Sequence, residues 1–181
     1  MRVKKRLIIV SIVSFIVISL LGTLLHFTYE ISGKNIIVGV ISAVNESVWE
    51  HLKILVMPMF IVAIYEYIIL NDNRDNFFIA LVSRIITGML LIITIYYTYT
   101  TLIGKSIDGI NITIFYISTF IAQVVWYLVI SKKTISRELD IVSLVVSLII
   151  LMLFIVFTFV TPKLGLFKDN SNNTYGIFES I

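Results

Sequence analysis

Cysteine is absent from this 181-residue chain, and that removes disulfides, thiolate metal ligands, iron–sulfur clusters and cysteine nucleophiles together. Charge is scarce as well. Only 14% of residues are Asp, Glu, Lys or Arg, where soluble domains carry about 25%. Proline occurs twice and glycine eight times, too few for a fibrous or linker-like chain. The glycine-rich phosphate loop, the H-E-x-x-H pair and the G-x-S-x-G elbow are all missing. No basic face suggests nucleic-acid binding.

What remains is apolar. Hydrophobic residues make up 59% of the chain, and the mean hydropathy is +1.02. About 20 apolar residues are needed for a helix to cross the hydrocarbon layer. Five runs approach that length: Leu7–Phe27, Ile54–Leu70, Phe77–Leu102, Ile112–Ile130 and Ile141–Val160. The second is short, and its helix is expected to begin near Asn45, giving a span over 46–70. Backbone groups must be paired internally in lipid, so continuous helices are expected. The fold class is therefore all-α, a polytopic bundle of about five spans in one integral membrane domain. The run after Arg6 is too long for a signal h-region and lacks an A-x-A site, so it reads as a retained first span.

Lys and Arg positions set the orientation. With the N-terminus inside, Arg2, Lys4, Lys5, Arg6, Arg74, Lys132, Lys133 and Arg137 are cytoplasmic, against Lys34, Lys53, Lys105, Lys163 and Lys168 outside. Eight against five favours N-in and C-out. The tail 161–181 is then outside, where it can pack over the outer face. The stretch Ile36–Val44 is apolar but too short to cross, and is expected to lie in the interface or dip back in.

Ionisable residues near spans are candidates for function. His26 and Glu30 are four apart and share a face of the first helix. The second helix opens with Asn45-Glu-Ser-Val-Trp-Glu-His51 at the same predicted depth. Two imidazoles and the carboxylates Glu30, Glu46 and Glu50 thus gather at the outer end. His26, Glu30, Glu50 and His51 form a ligand set of the kind that holds zinc, manganese or non-haem iron, or an acid–base pair. The plainer reading is capping: Ser47-x-x-Glu50 is a capping box, and Glu46 and Glu50 oppose the helix dipole. Capping leaves His26, Glu30 and His51 unexplained.

A second group is inside. Glu66 and Arg84 face each other across a helical hairpin and are expected to pair, with Gln123 as a third contact. This is a packing device or, alternatively, a proton or ion relay. Pro58 is expected to kink the second helix.

The string Asn45-Glu-Ser-Val-Trp-Glu-His-Leu-Lys53, with Pro58 and Glu66-Tyr67 after it, resembles the signature of an uncharacterised family of small bacterial multipass membrane proteins. His26-x-x-Tyr29-Glu30, and Pro162, Leu166-Phe167, Asp169 and Tyr175-Gly176 in the tail, are similar to the same family. The resemblance implies the bacterial cytoplasmic membrane and carries no catalytic role. Three function classes follow. The first is a membrane protein with a polar, metal-binding His/Glu site at the outer face, as in a metal-dependent enzyme. The second is a small transporter, and the third an accessory or structural subunit of a membrane complex. The expected partners are the lipid bilayer and a second copy or another membrane protein.

Overall fold

The computed structural model describes residues 2–70 and 75–179. Arg74 and most of the turn around it lie outside the described residues. Helix α1 runs over Arg2–Ile31, α2 over Ile36–Gly39, α3 over Val48–Ile69, α4 over Phe77–Ile103, α5 over Asp108–Ile130 and α6 over Arg137–Phe159. A 3₁₀ turn, Gly165–Phe167, follows. The architecture is all-helical, without a strand among the described residues. All the helices except α2 are long and apolar enough to cross a membrane.

These helices outrun the apolar runs because polar residues start them. Ser47 Oγ accepts from Glu50 N at the head of α3. Ser136 Oγ accepts from Leu139 N at the head of α6. Asp108 opens α5 four residues before Ile112. The first amides of α4 are capped from elsewhere: Asp140 Oδ1, on α6, accepts from Phe78 N and Ile79 N at 2.9 and 3.0 Å. Orphan amides at a helix start take an anion well.

The most buried helix is α3, and α1, α4 and α6 pack around it. Leu52, Leu55, Val56, Met59 and Val62 are sealed from solvent. The outward faces of α1, α4, α5 and α6 carry exposed Ile, Leu and Val. Pro58 lacks the amide that would bond to Ile54 O. Gly22 of α1 sits over that carbonyl: a Cβ built there would lie 2.8 Å from Ile54 O and 2.5 Å from Phe115 Cζ. The glycine permits the close approach. Gly22→Ala is therefore expected to lower stability by about 1–3 kcal/mol, as overpacked sites do. Unfolding by SDS titration against wild type checks this; an unchanged midpoint would show that α1 can move aside freely.

The connection 32–47 bends back over the bundle end. Ser42, Ala43 and Val44 are buried, and Ala43 N donates to Leu25 O at 3.3 Å. The tail caps the same end. Phe167 packs on Trp49, 4.7 Å between ring centroids, and on Phe157 at 5.5 Å. Asn45 Nδ2 donates to Gly176 O, and Ile177 is buried.

Candidate metal centre and cavity

Three ligand groups meet where α1 ends and α3 begins. His26 comes from the penultimate turn of α1, His51 from the first turn of α3, and Glu46 from the segment just before it. His26 Nε2 and His51 Nε2 are 3.3 Å apart; Glu46 Oε2 is 3.6 Å from the first and 3.5 Å from the second. These atoms form a nearly equilateral triangle, the only such group of three or more His or carboxylate ligands among the described residues. Its circumradius is about 2.0 Å, so a point at its centre is one zinc–nitrogen or zinc–oxygen bond length, about 2.0–2.2 Å, from all three donors.

The surroundings suit ligation. His51 Nδ1 donates to Ser47 O at 2.9 Å, which leaves Nε2 with its lone pair turned to the triangle. His26 is held by ring contact with Phe27, at 4.9 Å, and its Nδ1 is buried without a partner. The imidazole of His26 beside Glu46 holds that carboxyl below the usual carboxylate range, against partial burial, and the nearby charge of His51 and His26 adds to this. Glu46 is thus anionic at neutral pH, the form a metal requires. Its backbone is fixed by the tail, since Glu46 N donates to Asp169 Oδ2 at 3.2 Å.

The other carboxylates lie elsewhere. Glu50 is 2% exposed and turned away from the imidazoles: Oε2 is 2.6 Å from Lys53 Nζ and accepts from Val44 N at 3.0 Å. Lys53, counted from sequence among the outer surface charges, is fully buried and donates also to Gly39 O and Thr158 Oγ1. Glu50 thus anchors the segment after α2 directly and α6 through Lys53, and lies outside the triangle. Glu30 is exposed and outside the triangle. Asn45 Oδ1 accepts from Ser47 N, stiffening the approach to Glu46. From the sequence, Glu30 and Glu50 are the expected carboxylate ligands, with Glu46 a cap or a further member of the polar cluster; in the fold it is Glu46 that stands beside the two imidazoles.

The triangle borders a cavity of about 960 Å³ walled by α1, α3, α4 and α5, with Asn170 and Ser171 of the tail at its edge. Asp108, Asn111, Lys105, Tyr96 and Thr100 share its lining.

A family of unknown function, DUF6512, matches residues 1–177. The chain belongs to this family. No curated protein and no solved structure matches it. In this DUF6512 chain a second polar cluster lies inside the bundle. Arg84 Nη1 donates to Glu66 Oε1 at 2.9 Å and to Gln123 Oε1 at 3.1 Å, and Nη2 donates to Met59 O at 3.0 Å. Ser14 Oγ donates to Glu66 Oε1 at 2.6 Å, and Gln123 Nε2 donates to Ser11 Oγ at 3.3 Å. Glu66 and Arg84 are fully buried, and the network ties α1, α3, α4 and α5 together. Arg84 also lies over the Trp126 ring, 5.6 Å from its centroid.

Proposed function

We propose that this chain is a multi-pass protein of the bacterial cytoplasmic membrane, N-terminus inside, that binds one divalent metal through His26, Glu46 and His51 at the outer face. The observation that carries the reading is the triangle of donors with a zinc-sized centre. Two imidazoles and a carboxylate match the donor set of hydrolytic zinc sites, in which three protein ligands leave a fourth position open. A metal held by these three residues would lower the pKa of bound water to about 7 and so supply a nucleophile. The cavity borders all three donors, which gives space beside them for a reacting group. Orientation rests on the Lys and Arg bias, and membrane residence on the apolar spans.

A relay through Glu66 and Arg84 has less support. Each charge is locked to the other and to neutral partners at 2.6–3.1 Å, the arrangement of a packing clamp.

Elemental analysis of purified protein tests the reading. Wild type is expected to hold close to one metal per chain, as isolated or after titration with zinc, manganese or ferrous iron. The His26→Ala/His51→Ala variant is expected to hold none while keeping its helical circular dichroism. Wild type that stays metal-free after titration would refute the site.

A further inference from the structure

We infer that the cavity beside the triad seats a single-chain amphiphile, with its polar head at the metal and its hydrocarbon chain on the apolar floor. This rests on the metal reading above. The argument is the gradient along each wall. On α1 the lining passes from His26 to Gly22 one turn deeper, and on α3 from His51 to Ile54. On α4 it passes from Thr100 through Tyr96 to Ile92, and on α5 from Asp108 and Asn111 to Phe115. Because the helices alternate in direction, all four gradients point the same way. The charged and metal-ligating groups are at the bundle end, beside Phe27, Val48 and Ile112, and the floor towards the middle is apolar apart from Thr23 and Tyr116.

The deepest polar groups ask nothing of a ligand. Tyr116 OH and Thr23 Oγ1 are hydrogen-bonded to each other at 2.9 Å. With these two hydroxyls paired to each other, the floor offers chiefly dispersion and hydrophobic contact, while the charged and metal-ligating groups are at the rim. A sugar or nucleotide would leave its inner hydroxyls or ring nitrogens without partners there, a penalty a buried polar group does not escape. A wholly apolar molecule would waste the rim. The volume, about 960 Å³, lies at the upper end of the range for one small-molecule ligand. It accommodates one chain and its head group, not a whole diacyl lipid.

The test uses the full chain in lipid nanodiscs, loaded with cobalt(II) in place of the native metal, with acetohydroxamate and decanohydroxamate as probes. Both present the same chelating head, and only the second has a chain. Binding is read from the visible cobalt spectrum, which reports the ligand sphere directly. Two floor variants are compared with wild type: Ile92→Trp, which fills the floor, and Phe115→Ser, which makes it polar. Bilayer partitioning of the longer probe is common to all three proteins and cancels.

Wild type is expected to prefer decanohydroxamate over acetohydroxamate by at least tenfold more than either variant does. Burying even two methylenes is worth about tenfold in affinity. Acetohydroxamate should bind all three alike, and the retained cobalt spectrum certifies an intact site in each variant. If one variant loses cobalt, the other decides. Cobalt bound with an unchanged chain preference in the intact variants would overturn the amphiphile seat and leave the metal site standing. No cobalt in wild type would overturn both.

Discussion

Replacing Arg84 with methionine is expected to cost about 3–5 kcal/mol of stability, because it strands a buried charge. Glu66 would then be a fully buried carboxylate with only the Ser14 hydroxyl against Oε1. Its Oε2 already has no hydrogen-bond partner in the protein, so it has no reserve. Gln123 Oε1 would lose its guanidinium donor, and Met59 O the side-chain donor it has beyond its helical bond. Glu66→Gln should cost less than Arg84→Met, because it leaves a neutral side chain and removes the compensation for a guanidinium that keeps two other acceptors. The double variant Glu66→Met/Arg84→Met should recover much of the loss, since removing both charges avoids stranding either. Unfolding by SDS titration across this cycle measures the coupling. Additive single effects would mean that the two groups do not act as a pair.

The second large effect is a crossed result from two glutamates four residues apart. Glu46→Gln should reduce metal affinity by on the order of 100-fold or more, exceeding what loss of an outer hydrogen bond does. It should change stability by no more than about 0.5 kcal/mol, since the Glu46 side chain is 54% exposed. Glu50→Gln should do the reverse. Lys53 Nζ, fully buried, would lose its carboxylate and keep only Gly39 O and Thr158 Oγ1. The expected cost is about 3–5 kcal/mol, with metal affinity within a few-fold of wild type. Zinc titration and SDS unfolding on both variants settle the assignment. Loss of metal in Glu50→Gln at unchanged stability would return the ligand role to Glu50.

The helices were legible because lipid-length apolar runs are a strong signal, and the Glu66–Arg84 pair because a hairpin brings equal depths together. His26 and His51 were legible for the same reason. The third member of the triangle was not. Glu46 precedes α3 in an irregular segment whose path is set by Asn45, Asp169 and Gly176, contacts that no local pattern announces. One signal did bear on Glu50. Adjacent residues on a helix point about 100° apart, so Glu50 and His51 cannot both face one site once the helix is known to include both. Its own neighbour at i+3 is Lys53, the partner it takes. The burial of Lys53 depends on Thr158, far along the chain, and was beyond reach of sequence.

The amide of Glu46 is held by a carboxylate 123 positions downstream, in a segment that follows all five long helices. A ribosome delivers His26, Glu46 and His51 early, but their geometry is set only after α6 has been made and the chain has folded back. Until the tail is in place, the backbone of Glu46 lacks the contact that fixes it beside the two imidazoles.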